Sequence, residues 1–221
     1  MKLSEDLYVY IWQNPYENNC NSYIIGGEIV TLIDPGHTQY LDRLFRQMEE
    51  DGLSKERINL ILLTHCHPDH FESLEAFLDQ PVKIAMSREE EQYLQQIGRY
   101  LFEMMGKSLP SYRIDFFLKE GELRLKNRVL QIIHTPGHSP GSLSIYWPEK
   151  KTLFTGDLIF YGGVGRTDFP KGNSTLLVKS IERLARLDIE LLLPGHGEIV
   201  MGRKMVLENF EFIRQNYYPY L

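Results

Sequence analysis

The densest chemistry in the chain lies in one stretch, Thr64-His65-Cys66-His67-Pro68-Asp69-His70, where His65, His67, Asp69 and His70 can all hold a metal ion. The apolar run 58–63 before it reads as a strand. If the chain continues extended, alternate side chains share a face, so His65 and His67 are expected to reach one ion together. Pro68 suits the first position of a helix, and the turn it starts would aim Asp69 and His70 at a displaced second point. One short segment can thus feed two neighbouring ions. Cys66 alternates with the histidines and faces the other way, so it reads as a packed core thiol.

Three later segments repeat the pattern. The run 129–133 precedes Thr135-Pro136-Gly137-His138, 152–155 precedes Gly156-Asp157, and 191–193 precedes Pro194-Gly195-His196. In α/β sheets, residues just past the carboxyl ends of strands gather in one crevice, so the four segments are expected to converge. His65, His67 and His138 would surround one ion, Asp69, His70 and His196 the other, with Asp157 between them. The set uses five of the seven histidines. It offers nitrogen and oxygen without a thiolate in phase, which fits zinc, iron or manganese, with zinc the first expectation. Such sets leave positions open for water, which favours catalysis over a closed, cysteine-rich structural site.

Two divalent ions would bring a bridging water to a pKa of roughly 7, so the expected nucleophile is a metal-bridging hydroxide, with Asp69 and Asp157 as the catalytic carboxylates. An ion would also polarise the attacked carbonyl. A thiolate leaving group, with a pKa of about 8.5, departs with little help, whereas an amide needs a general acid, for which no candidate stands out. A thioester therefore suits the set.

The elements that must position these residues follow from pattern. Runs 7–12, 22–25 and 29–33 read as a meander, and Leu41, Leu44, Phe45 and Met48 as one face of a helix ending at Gly52. Asp34 ends the third strand, where an indirect bond to the site is the lesser reading, and His37 reads as a loop or capping residue, both outside the ligand set. Leu74, Phe77 and Leu78 mark a helix closing before Pro81, and a strand is expected at 82–85. Ser87, with Glu90 three residues on, caps a helix running to Met105 whose stripe of Leu94, Ile97, Leu101, Met104 and Met105 packs into the core. Short strands are expected within 107–125, then strands at 129–134, 143–147 and 152–155, with His134 either structural or supporting a site residue. A glycine-rich loop spans 162–170, and helices are expected at 174–187 and 203–216 around a strand at 190–193. Tyr217, Tyr218 and Tyr220 are expected to pack on the core. The rhythm of strands then helices in each half suggests two βα layers in one domain spanning 1–221.

A chain of 221 residues with 43% hydrophobic and 24% charged residues has the make-up of a folded globular protein. Its net charge of −6 gives no reason to expect a nucleic-acid partner. Acidic residues stand where a signal peptide would be basic, no apolar run approaches a membrane span, and two isolated cysteines suit a reducing compartment. A cytoplasmic protein with a small-molecule substrate is the expectation, with homo-oligomerisation open.

The His-x-His-x-Asp-His segment, the Pro-Gly-His at His138, the Gly-Asp at Asp157 and the Pro-Gly-His-Gly at His196 together resemble the metallo-β-lactamase superfamily. The resemblance implies an α/β fold, a four-layer αββα sandwich, and the ligand roles given above. Thr155-Gly156-Asp157 followed by Gly162-Gly163-Val164-Gly165-Arg166-Thr167-Asp168-Phe169 looks like the branch holding glyoxalase II and the persulfide dioxygenases. One relative hydrolyses S-D-lactoylglutathione with two metals, which implies a hydroxyacylglutathione hydrolase here. The other oxidises glutathione persulfide with a single iron, held by the residues matching His65, His138 and Asp157, and is the alternative. Two-domain glyoxalases II continue into a helical glutathione-binding domain, whereas this chain stops soon after His196, as in the short single-domain hydrolases. Arg166 and Asp168 are expected to order the site or touch substrate.

Overall fold

The computed structural model describes residues 1–14 and 16–221 and divides into two compact units, Met1–Leu118 and Lys119–Leu221. In the first unit, β2 (Leu7–Tyr10), β3 (Ser22–Ile25) and β4 (Val30–Ile33) form the expected antiparallel meander, and β1 (Lys2–Ser4), which was not expected, pairs antiparallel with β2. The chain then crosses over through helix α1 (Leu41–Glu50), and β5 (Ile58–Leu62) pairs parallel with β4. Parallel pairing needs such a crossover. The short α2 (Pro68–Phe71) follows, with Pro68 in its first turn, then β6 (Lys83–Ser87), α3 (Arg88–Met104) and β7 (Phe116–Leu118), in a seven-stranded sheet ordered β1 to β7.

The helix expected around Leu74 and Phe77 is instead a 3-10 segment, Glu72–Phe77. Residues i and i+3 share a face in either helix, so the apolar spacing was met without an α-helix. Leu74, Phe77 and Phe71 are fully buried among the core side chains of this unit. Burial of each stabilises by about 2 kcal/mol, which fixes the backbone just downstream of the histidines. Ser87 caps α3 as expected, its Oγ accepting from Glu90 N at 3.0 Å.

The second unit holds β8 (Gly121–Leu125), β9 (Arg128–His134), β10 (Leu143–Trp147) and β11 (Thr152–Gly156), each antiparallel to the one before. A separate hairpin of β12 (Ile159–Phe160) and β13 (Gly163–Val164) follows, then α4 (Ser174–Leu184), β14 (Leu191–Pro194), β15 (Val200–Met201) and α5 (Arg203–Asn216). The sheet order is β15-β14-β11-β10-β9-β8, and β14 lies parallel to β11. Since β9 and β11 are both antiparallel to β10, β9, β11 and β14 run the same way. Helix α4 stops at Leu184, short of the expected Leu187, which is half-buried against the core. Tyr217 and Tyr218 pack on that core, but Tyr220 does not, being 87% exposed. Terminal aromatics carry no period from which to read a buried face.

Candidate metal centre

In the first unit the four expected ligands follow the carboxyl end of β5, and all are buried: His65, His67, Asp69 and His70. The His65 ring lies 4.8 Å from that of His67 and 4.1 Å from that of His70, centroid to centroid. Cys66 lies among the apolar core side chains of this unit and outside the donor groups, as its alternation with the histidines leads one to expect.

Asp34 organises this half. It ends β4 beside the end of β5, and its φ of 51° is a conformation that aspartate tolerates better than most residues. Its carboxylate accepts from Thr64 N at 2.8 Å, Thr64 Oγ1 at 2.6 Å and His70 Nδ1 at 2.9 Å. Because the hydroxyl proton of Thr64 goes to Asp34, Thr64 Oγ1 accepts from His65 Nδ1, 3.0 Å away. A carboxylate in this role only accepts, so both rings carry their proton on Nδ1 and keep the basic lone pair on Nε2. The sequence offered Asp34 as a strand-end acid with an indirect bond to the site as the lesser reading; what decides it is the parallel pairing of β4 and β5, which sets it beside Thr64. Asn18, which the pattern passed over, donates from Nδ2 to Asp69 Oδ2 at 3.0 Å.

The second unit holds the other three. His138, Asp157 and His196 lie just beyond β9, β11 and β14, the three strands that run the same way. The register pairs Gly156 with Pro194, which sets Asp157 close to His196. His138 Nδ1 donates to the Arg166 carbonyl at 2.7 Å, so its lone pair is also on Nε2. Asp157 Oδ2 stands 3.6 Å from His138 Nε2 and 3.4 Å from His196 Nε2. These separations are long for hydrogen bonds. They match donors that share an ion, since ligand atoms about 2.1 Å from a tetrahedral metal lie roughly 3.4 Å apart. The donor set therefore fits a metal.

The residues outside the set have other work. The Arg166 guanidinium makes two 2.6 Å bonds to Asp168 and lies 4.2 Å over the Phe169 ring, and this pairing holds the Asp168 carboxyl down to about 2. It is the main-chain carbonyl of Arg166 that reaches His138. His37 is buried, bonded through Nδ1 to Glu72 at 2.5 Å, and starts a 3-10 turn without a side-chain cap. His134 bonds the Pro140 carbonyl and is structural, as expected.

Imidazoles oriented through Nδ1 and carboxylates at strand ends of mixed sheets define a metal-binding α/β protein. The profile of the metallo-beta-lactamase superfamily matches residues 15–196, and the chain belongs to that superfamily of metal-dependent hydrolases. It is 38% identical over 194 residues to the probable metallo-hydrolase MJ0888 of Methanocaldococcus jannaschii, covering 84% of this chain and 91% of that one. It is 34% identical over 191 residues to the hydroxyacylglutathione hydrolase GloC of Haemophilus influenzae, covering 82% and 86%. Among solved structures, the BLEG-1 B3 metallo-beta-lactamase superposes with a TM-score of 0.77 at 26% identity, covering 94% of this chain and 99% of that one. TTHA1623 in a di-iron-bound form gives 0.75 at 29% identity, covering 96% and 99%. The metallo-β-lactamase fold expected from the sequence is the fold the chain has, and with its His/Asp set it implies divalent metal binding. Among the described residues no helix is long and apolar enough to cross a membrane.

Proposed function

We propose that the protein is a dinuclear metal-dependent thioester hydrolase of the hydroxyacylglutathione type. His65, His67 and His138 would hold one ion, Asp69, His70 and His196 the other, and Asp157 would bridge. One observation carries this reading: His65, His70 and His138 each have Nδ1 engaged by a dedicated acceptor, which orients Nε2 as a ligand. The similarity to GloC supports the thioester class, and the di-iron form of TTHA1623 supports two ions, with zinc or iron as the metal. When bound, the ions supply an activated water and a Lewis acid for the carbonyl. The chain's own residues do the rest. Asp34 and Thr64 set the histidine tautomers, Asn18 steadies Asp69, and the Arg166 carbonyl fixes His138. The paired Arg166 and Asp168, both largely exposed, would line the approach of a small-molecule substrate. The family match crosses both compact units, which supports one functional domain. Two free, buried cysteines suit a reducing, cytoplasmic setting.

The test is hydrolysis of S-D-lactoylglutathione by protein loaded separately with zinc, iron and manganese, with Asp157→Ala as control. A metal-dependent rate that the control loses by at least about 100-fold is expected, since a ligand and its charge are removed together. A rate equal in metal-free protein, or none with any metal, overturns the reading.

A further inference from the structure

The β12–β13 hairpin begins two residues after Asp157, and its two strands have only two residues each. So short a ladder is not stable alone. Its second attachment is the terminal helix α5, where Asn209 is 4% exposed on a stripe otherwise made of Val206, Phe210 and Ile213. Asn209 Oδ1 accepts from Gly162 N at 2.8 Å, and its Nδ2 donates to the Phe160 carbonyl at 2.9 Å, so one amide clasps both sides of the turn. The Tyr217 hydroxyl donates to the Gly162 carbonyl at 2.8 Å.

The opposite side of the hairpin faces ligands. The edge of the Phe160 ring meets the His196 ring at 6.0 Å, with the planes at 81°. Gly165, which ends the return strand, lies so close that a Cβ there would be 1.7 Å from the Asp157 carbonyl oxygen and 3.3 Å from His138 Nδ1. Asparagine inside a helix is a poor choice for helix stability, and a buried amide costs free energy unless its bonds are made. A leucine would complete the apolar stripe. What an asparagine adds is a grip on main-chain groups of the loop that backs Asp157 and His196.

We propose that Asn209, assisted by Tyr217, is a positioning residue for the Asp157–His196 part of the metal centre, acting through the β12–β13 hairpin. This rests on the metal-centre reading above. The test is competition for zinc against a chromophoric chelator, with kcat and KM on S-D-lactoylglutathione beside it, for Asn209→Ala, Asn209→Asp, Tyr217→Phe and the unsubstituted chain. Asn209→Ala is expected to weaken the looser zinc about tenfold and to lower kcat with KM little changed, as for loss of groups that orient ligands. Asn209→Asp keeps the acceptor for Gly162 N but turns a second acceptor toward the Phe160 carbonyl, and is expected to lose zinc affinity at least as much as Asn209→Ala. Tyr217→Phe removes one half-exposed hydroxyl, stays folded, and weakens the looser zinc severalfold. Unchanged zinc affinity in folded Tyr217→Phe and Asn209→Ala, whatever their melting temperatures, overturns the inference and leaves the metal centre standing. Failure of the unsubstituted chain to bind zinc overturns both.

Discussion

The residue that does most for the first half of the site is not itself in the proposed ligand set. Asp34 gathers Thr64 and His70 directly and His65 through the Thr64 hydroxyl, so one carboxylate sets two imidazole tautomers. Substituting Asp34→Asn offers an amide where His70 needs an acceptor, and zinc affinity measured by chelator competition is expected to fall by about 10–100-fold. Thr64→Val removes the hydroxyl that joins His65 to Asp34 but leaves the Asp34 bonds to His70 and Thr64 N, and is expected to cost less; equal affinity in both variants and the unsubstituted chain would falsify this role for Asp34. The proposed ligands were legible as candidates because histidine and aspartate recur at four strand ends. Asp34 was not, because an acid after a strand is common and its meaning depends on which strand lies beside it. Asn18 was hidden for the same reason, its partner Asp69 being far along the chain.

Among the elements, those with a long apolar period matched expectation in place, but not to their ends: α4 stops at Leu184, and Met104 and Met105, expected in the buried stripe of α3, are exposed. Helix α5 covers 203–216 as expected, and Ser87 caps α3 where the Ser-x-x-Glu spacing placed it. The strands β1, β12, β13 and β15 went unseen, since two or three residues cannot display a period of two. They form because neighbours hold them, which is tertiary information. Helix α4 illustrates how an element guards a proposed ligand. Asn173 caps it, its Oδ1 accepting from Leu176 N at 2.9 Å, while Gly137, next to His138, packs so tightly that a Cβ would lie 2.4 Å from the Leu177 backbone. Asn173→Ala is expected to cost about 1 kcal/mol, read as a lower melting temperature with zinc affinity retained. Gly137→Ala must push α4 and the His138 turn apart, so both melting temperature and zinc affinity are expected to drop; retention of both would show that the turn relaxes freely.

For the whole molecule, charge and metal set the response to conditions. Arg183 bonds Glu120 and holds its carboxyl below the ordinary carboxylate value, so the folded state binds that proton less readily than the unfolded chain. The stability this contributes is present above pH about 4.5 and is lost as pH falls through the lowered folded value. Glu120→Gln is therefore expected to flatten the acid side of the stability curve, by no more than about 1 kcal/mol because the pair is half exposed. An unaltered curve would show that other groups govern acid unfolding. The superfamily was legible from the order and spacing of four motifs, whereas the branch rests on the loop 156–169, whose Arg166 spends its side chain on Asp168 and Phe169. The most direct test of the central claim is the number of metal ions bound per chain, by elemental analysis of zinc-loaded protein beside Asp157→Ala and His196→Ala. Two ions in the unsubstituted chain, with loss of at least one in each variant, is the expected result. A single ion unaffected by His196→Ala would contradict the dinuclear centre.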